Sequence, residues 1–544
     1  MSQLSPSKLN FLTNFLQFNT LKKRNQNIKH INYKIYYLLC QPETFLLAYK
    51  KISKSQPFLI NKLIKNKLFF FGFIQAKEIA QKFKDEQYDW NLYCKKQFSK
   101  VKIVKVQSNI SFFYTNLIVQ EAITQILEAI YEPIFQHFEH QTKKMASNYG
   151  FRPNKTPWNA VEIFKNTNFN IAIKNTIEDM YDINHTQLIL KLSKRIKDKK
   201  FLKMISKFLK SQTYKQFKKI SIQSFYSLQS LKKIPDFNFK NKSIFSLLFN
   251  IYIFDLDKFI YFNLIFPILK KNKKKTYQFL SKQTKNIKQL FEIWFLWQRI
   301  IRKKNKLFKP ILKKQKFIFE FLYKNSTNII YSRYGENWLL CMITNYQEAK
   351  KIKKKIKKFM NKKLLIQVSE KQIILVKLQS GVEYLGYQLK TPSLKLLKKK
   401  LRLITNKKIF FKKFKTKILP SYEKIYNYLK ANKFCTLDLN MYPLSKKSWL
   451  IFNEYTLVKK YKKAICFFIN YYKNCNKIFA LKRVYYILKY SCVKTIAERK
   501  KIGIKSVLKK YGKQLNIKKY KITSDGIIYL NIKLPTLKEI QKLE

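Results

Sequence analysis

The chain has 544 residues, 46 % of them hydrophobic, enough to bury several cores and to suggest two to four domains. Its 113 Lys and Arg against 30 Asp and Glu give a formal charge of +83, a self-repulsion that calls for a polyanionic partner, nucleic acid first. Eight glycines exclude a fold built on glycine-rich phosphate loops, and neither a P-loop nor a dinucleotide fingerprint occurs. Part of the lysine excess has a plainer source. Only nine of the 113 cations are Arg, and the chain is rich in Asn, Ile, Phe and Tyr, as AT-rich coding sequence produces. Drift of that kind does not explain why the acids stayed at 30.

The N-terminus shows neither a signal-peptide core nor an Arg-rich transit pattern, so an organellar protein of this sequence would be encoded in its organelle. The seven cysteines (Cys40, Cys94, Cys341, Cys435, Cys466, Cys475 and Cys492) form no CxxC pair. They sit among apolar residues, which argues against disulfides and zinc and for a reducing compartment. His137 and His140 have helical metal spacing but no nearby Cys or His partner, so they read as surface histidines. Tyr149 to Lys155 is a turn bracketed by Gly150 and Pro153, where Arg152 either caps a neighbouring helix or contacts RNA. The longest apolar region, Ser243 to Leu269, is broken by Asp255, Asp257 and Lys258, short of the ~20 apolar residues of a membrane span. Ile329 to Arg333 and Trp338 to Ile343 read as two strands of a hairpin around Tyr334-Gly335-Glu336-Asn337. Tyr384 to Tyr387 reads as a strand, with Gly386 where backbone passes close to backbone.

Between Tyr455 and Tyr472 the residues Val458, Tyr461, Ile465, Phe468 and Tyr472 alternate three- and four-residue steps, while Lys459, Lys460, Lys462 and Lys463 fall off that face. This predicts a helix packed on one side and cationic on the other. Thr495 followed by Glu498 predicts a capping box, and Gly503 and Gly512 are placed to end helical turns, giving two short helices. In the second, Ile504, Leu508 and Tyr511 share one face and Lys501, Lys505 and Lys509 another. Periodicity alone fits an ordinary amphipathic helix with a solvated basic side.

The string Tyr485 to Gly512 carries more than periodicity. Tyr485, Tyr486, Lys489, Ser491, Cys492, Lys494, Thr495, Ala497, Lys510, Tyr511 and Gly512, with Ile496 for the usual Leu, resemble the maturase motif, or domain X, of proteins encoded in group II introns. The resemblance to group II intron reverse transcriptase/maturases runs from about Tyr37 to Gly512. It takes in Leu38-Leu39, Pro42 and Leu46 to Tyr49, then Asn116 to Phe135 and the Tyr-Gly-Phe-Arg-Pro string at Tyr149 to Pro153. Further on it includes Ser246 to Phe259, Ser369-Glu370-Lys371 and Tyr384 to Tyr387.

The resemblance implies an α+β fold: right-hand, reverse-transcriptase-like fingers and palm, both degenerate, followed by an α-helical thumb and maturase domain X. The implied segments are 1–165 for an N-terminal extension and fingers, 166–392 for the palm, 393–520 for thumb and domain X, and 521–544 for a tail without the family's endonuclease. A polymerase needs an Asp on one palm strand and an Asp-Asp pair at a hairpin tip to hold two magnesium ions. Here the tip reads Tyr334, Gly335, Glu336 and Asn337. The strand position falls on Asn175 in one register and Thr176 in another. Where the family has Pro-Gln-Gly-Gly in its nucleotide loop, this chain has Phe239 to Lys242. Rescue by Glu178, Asp179 or Asp182 would need carboxylates a turn or more from the metal position. No polymerase activity and no cofactor are expected, with magnesium entering only through bound RNA.

The expected function is therefore non-enzymatic: binding and folding of group II-type intron RNA, which performs both transesterifications itself. The partner is structured intron RNA, with ribosomal RNA the alternative for a ribosome-associated basic protein; neither a membrane nor a small-molecule substrate is expected. The compartment is the plastid first and the mitochondrion second, by likeness to degenerate plastid maturase-like proteins such as the ribosomal operon-associated A proteins. Expected RNA-binding residues are Arg152, Lys155, Lys459, Lys463, Tyr471, Arg483, Tyr485, Tyr486, Lys489, Ser491, Lys494, Thr495, Arg499, Lys501, Lys505 and Lys509. Tyrosine can stack on unpaired bases and lysine can neutralise phosphates. For Tyr472 core packing is the better reading.

Overall fold

A computed structural model describes residues 18–55, 71–90, 104–165, 167, 169–177, 183–211, 244–270, 329–391, 416–438, 440–476, 481–523 and 526–536. The loop at Phe239 to Lys242, the acids Glu178, Asp179 and Asp182, and Cys94 lie outside them. The fold is mixed α and β, in two compact units: Met1–Lys155, Thr167–Leu209 and Lys242–Leu378 make the first, and Thr156–Asn166, Lys210–Asn241 and Gln379–Glu544 the second.

Among its described residues the first unit includes the helices α1 (Pro42–Ser55), α2 (Phe73–Lys84), α3 (Val104–Gln141), α4 (His185–Ser193), α5 (Lys199–Lys210), α6 (Ile244–Phe259) and α7 (Tyr346–Lys363). Its sheet contains β1 (Ala146–Asn148), β2 (Ile171–Thr176), β3 (Ile329–Tyr334), β4 (Asn337–Met342) and β5 (Ile374–Lys377) in the order β1-β3-β4-β2-β5. β1 runs parallel to β3 and the other neighbours are antiparallel. The predicted hairpin is β3 and β4. Gly335, at φ +59°, occupies the first position of its two-residue turn, where the chain needs a residue without Cβ. Gly150 lies against that turn so closely that a Cβ there would collide with the Gly335 backbone. The Tyr-Gly-Phe string is thus a backbone-to-backbone contact. The apolar run of α6 is buried almost all round, as a continuous hydrophobic stretch requires. It meets α3 through Phe135 and Phe254, whose rings are 5.0 Å apart.

In the second unit β6 (Val382–Tyr384), β7 (Tyr387–Lys390) and β8 (Lys417–Pro420) form an antiparallel sheet in that order. The expected single strand at Tyr384 to Tyr387 is instead the tip of a hairpin, with Leu385 at φ +52° and Gly386 at φ +76° making the turn. A short helix, Pro157–Glu162, capped by Thr156, belongs to this unit because Trp158 and Phe164 pack on Tyr387 and Tyr384 at 5.7 and 6.3 Å. The division therefore cuts across the segments expected from sequence at 165 and 166.

Four α-helices follow among the described residues: α8 (Tyr422–Ala431), α9 (Glu454–Tyr472), α10 (Leu481–Lys500) and α11 (Ile504–Tyr511). All five apolar residues predicted for α9 are buried, and the helix packs on α10. The predicted capping box at Thr495 is not formed, because α10 runs unbroken through it and Thr495 is buried. Gly503 starts α11 rather than ending its predecessor. In α11 the buried residue is Val507, while Ile504 is exposed. Beyond it β9 (Ile517–Thr523) and β10 (Gly526–Ile532) form a hairpin that crosses the expected tail boundary at 520. Among the described residues no helix is long and apolar enough to cross a membrane.

Candidate functional site

Two places carry the residues singled out in the sequence. The first is the hairpin tip. β2 pairs with β4 so that Thr176 faces Asn337 and Asn175 faces Trp338. Side chains alternate across a strand, so Thr176 and Asn337 share one face, with Thr176 Oγ1 donating to Asn337 Oδ1 at 2.8 Å, and Asn175 points to the other. Of the two residues left open by the sequence, Thr176 has its side chain beside the hairpin tip and Asn175 has its side chain on the other face. Asn175 is buried, and neither its Oδ1 nor its Nδ2 finds a hydrogen-bond partner among the described residues, nor does Trp338 Nε1. A cavity of about 480 Å³ adjoins the strand end, lined by Lys174, Asn175, Thr176, Ser369, Lys371, Gln372 and Ile374. Its lining has two lysines and no acid, the wrong electrostatics for a divalent cation, whose ligands are carboxylate and carbonyl oxygens. Among the described residues no group of three or more His, Cys, Asp or Glu is placed to hold a metal.

The second is α10 with the segment before α9. Ser491 donates its hydroxyl to the Leu444 carbonyl at 2.6 Å, and Thr495 donates to the Ser491 carbonyl at 2.7 Å. Tyr461 Oη on α9 lies 3.0 Å from both hydroxyls, and since each has spent its single hydrogen elsewhere the one phenol hydrogen is shared between the two oxygens. The Lys446 backbone N–H completes the cluster by donating to Thr495 Oγ1 at 2.9 Å, and Lys494 Nζ donates to the Pro443 carbonyl at 2.9 Å. The Ser-Cys-x-Lys-Thr string is thus a clamp that fixes the 443–446 segment and α9 on α10. Burial, helped by the Lys433 charge, brings the Lys446 ammonium down to about 8, although it lies over the Phe434 and Trp449 rings.

Burial removes several residues from the expected RNA-binding set. Ser491 and Thr495 are fully enclosed and Tyr485 nearly so. Arg152 is held by Glu132 at 2.8 Å and Glu139 at 3.2 Å, and Lys155 pairs with Glu139 at 2.9 Å. Against its burial, Lys155 and Arg152 hold the Glu139 carboxyl below the usual range. The Arg152 guanidinium is an internal tie. Tyr471 donates its hydroxyl to the Leu385 carbonyl and stacks on Tyr387 at 5.0 Å, so its ring is engaged internally; Tyr472 is buried as expected. Arg499 pairs with Glu454 at 3.0 Å.

What remains at the surface forms a coherent group. On α10 the Arg483 guanidinium lies 5.1 Å over the ring of Tyr486, which is 41 % exposed and sits 4.6 Å from Tyr490. Lys489 approaches the Tyr490 ring at 5.8 Å, its ammonium lowered by partial burial and by Lys513. Lys459 and Lys463 are exposed on α9, and Lys501, Lys505 and Lys509 are exposed at and before α11. Lys501 precedes that helix, at φ +54°, so the expected three-lysine stripe is two residues on the helix and one in its approach. Tyr490 was missed in the sequence, although its four-residue spacing from Tyr486 on one helix was the available signal.

Fold and site together define a mixed α and β protein whose C-terminal helical domain presents cations interleaved with tyrosine rings. Residues 415–538 match the model of the type II intron maturase family. The chain is 23 % identical over 493 residues to the group II intron-encoded protein LtrA of Lactococcus lactis, covering 88 % of this chain and 77 % of that one. It is 24 % identical over 557 residues to the putative COX1/OXI3 intron 1 protein of Saccharomyces cerevisiae, spanning 61 % of that protein's length, and 26 % identical over 365 residues to maturase K of Marchantia polymorpha, 64 % of this chain and 85 % of that one. Residues 415–538 thus carry the domain of the type II intron maturase family, and over most of its length the chain is similar to group II intron-encoded proteins.

Proposed function

We propose that the protein binds structured RNA of group II-type introns and assists its folding and splicing, while the RNA performs the transesterifications. The observation that carries this reading is the Arg483-Tyr486-Lys489-Tyr490 face on α10, within the matched maturase domain. The exposed ring of Tyr486, with half-buried Tyr490 beside it, can stack on an unpaired base while the cations neutralise neighbouring phosphates, the combination by which single-stranded loops of a folded RNA are recognised. Lys459, Lys463, Lys505 and Lys509 extend the positive surface. The clamp of Ser491, Thr495 and Tyr461 keeps α9 and α10 in register so that the face stays rigid.

In this reading the first unit is a fingers-and-palm scaffold without polymerase chemistry. Support comes from the amide and hydroxyl of Asn337 and Thr176 at the hairpin tip and from the lysines of the adjoining cavity. Magnesium enters with the RNA. An organelle-encoded setting is supported by residue usage typical of AT-rich coding sequence, and the plastid stands before the mitochondrion by likeness to degenerate plastid maturase-like proteins. The test is cross-linking in the native compartment followed by sequencing of the bound RNA: intron sequence is expected, and enrichment of ribosomal RNA or of none overturns the reading. In parallel, the purified protein with primed template, nucleotides and magnesium should extend no primer; product that vanishes on Glu336→Ala would overturn the inactive-palm part alone.

A further inference from the structure

The first unit carries a second basic surface outside the maturase domain. α7 buries Ala349, Ile356 and Met360, packing on β2 and β5, and nine of its eighteen residues are lysine. Lys353 and Lys357 turn to Glu370, by a hydrogen bond to its carbonyl at 3.0 Å and an ion pair at 3.5 Å. The other seven, Lys350, Lys351, Lys354, Lys355, Lys358, Lys362 and Lys363, are exposed and form no ion pair among the described residues. Four of them, Lys350, Lys354, Lys358 and Lys362, recur every fourth residue, so they form one ridge about 18 Å long that winds about 40° around the helix per step. Like charges at that spacing destabilise a helix, and nothing else on α7 opposes them but Glu348 near its start.

We propose that this row is a binding site for the phosphate backbone of double-helical RNA. The claim rests on the reading of the protein as an RNA binder but adds a contact that the maturase domain does not contain. Three features favour this ligand. The row is rigid and regular, matching a continuous phosphate chain. The face offers lysine ammoniums and no exposed ring between Lys350 and Lys363, so it can neutralise charge but cannot stack on or read bases. The apolar side of α7 is turned into the unit, which leaves nothing to insert into a lipid surface. Base-paired stems, whose bases are hidden and whose phosphates are outward, are the part of a folded RNA that such a face fits.

The test uses the full chain and an RNA duplex of arbitrary sequence, unrelated to any intron, titrated over a range of salt. Changing Lys350, Lys354, Lys358 and Lys362 together to Gln should flatten the slope of log K against log salt by about 3 to 4. The same number of changes at scattered exposed lysines of this unit, Lys23, Lys29, Lys77 and Lys82, should flatten it by much less. Thermal melting should show the row variant folded, since repulsion along α7 is relieved. Equal losses for the two variants, an unchanged slope for the row variant, a larger loss on single-stranded RNA than on the duplex, or tighter binding to anionic vesicles than to the duplex would each overturn the proposal. Absence of RNA binding by the unaltered protein would instead sink the maturase reading with it.

Discussion

Arg333 and Asp257 form a two-point ion pair inside the first unit, Nε to Oδ1 at 2.8 Å and Nη2 to Oδ2 at 2.7 Å, with neither side chain reaching solvent. The remaining guanidinium nitrogen donates to Asn250 Oδ1 at 2.8 Å and to the Gly335 carbonyl, and Tyr331 donates to Asp257 Oδ1 at 2.8 Å. Asn250 and Asp257 lie two turns apart on one face of α6, so that helix grips the hairpin strand at two points. Asn250 Nδ2 also donates to the Gly150 carbonyl at 2.6 Å, tying in the contact between Gly150 and the hairpin turn.

Asp257→Ala should therefore cost about 3–5 kcal/mol, because it leaves the Arg333 charge buried without its partner. Removing both ends, as Arg333→Met with Asp257→Leu, should cost much less, since the charge goes with the pair. Urea unfolding of the two singles and the double measures the coupling. Additive losses would mean that the pair is not the organising contact.

Asn175 gives the opposite sign. Its amide is buried with no partner among the described residues, a penalty of about 1–3 kcal/mol that an apolar side chain of similar shape would not pay. Asn175→Leu is expected to raise stability by about 1–2 kcal/mol, read as a higher melting temperature. A loss would show that the amide has a partner when the protein is at work.

The contrast between these residues explains what the sequence could and could not reveal. The hairpin strands, the buried stripe of α9 and the apolar run of α6 were legible because periodicity and turn chemistry are local. Asp257 was visible as an interruption of an apolar run and as part of the resemblance at Ser246 to Phe259, but not as one end of an ion pair, since its partner Arg333 is distant in the chain and charge alone names no partner. The domain X string was legible as a motif but not as a clamp: whether Ser491 and Thr495 face RNA or the interior depends on Leu444, Lys446 and Tyr461 arriving from elsewhere. Sequence likewise offered Tyr485 and Tyr486 as equals, and helix rotation decides that one is buried and the other exposed.

Lys446 makes the clamp sensitive to pH. Its ammonium titrates near 8 in the folded protein and near 10.4 when unfolded, so between those values the unfolded chain binds more protons. Stability should rise with pH across that window from this group, and below it the burial penalty is fully present. Lys446→Met should remove the rise. Urea unfolding of both proteins at a series of pH values, from neutral to just below the tyrosine range, gives the difference directly; parallel curves would show that the lysine is freely solvated.

The last prediction separates support from recognition within one helix. Ser491→Ala deletes a buried hydroxyl and takes this donor from the Leu444 carbonyl, while Tyr461 keeps Thr495 as its acceptor, and should cost about 1–3 kcal/mol of stability. Affinity of the folded fraction for intron RNA should stay as it was. Tyr486→Ala touches an exposed ring, so its melting should follow the parent, while affinity for the cognate intron falls by about 1–3 kcal/mol, the worth of one stacked base, and affinity for a base-paired stem hardly changes. Arg483→Gln should weaken both RNAs and lower the salt slope by about 1. If Ser491→Ala lost RNA affinity while melting like the parent, the hydroxyl would be reading RNA and the clamp would have to open to expose it. If Tyr486→Ala bound intron and stem as before, the exposed ring of α10 would be surface without recognition, and specificity would have to come from elsewhere in the domain.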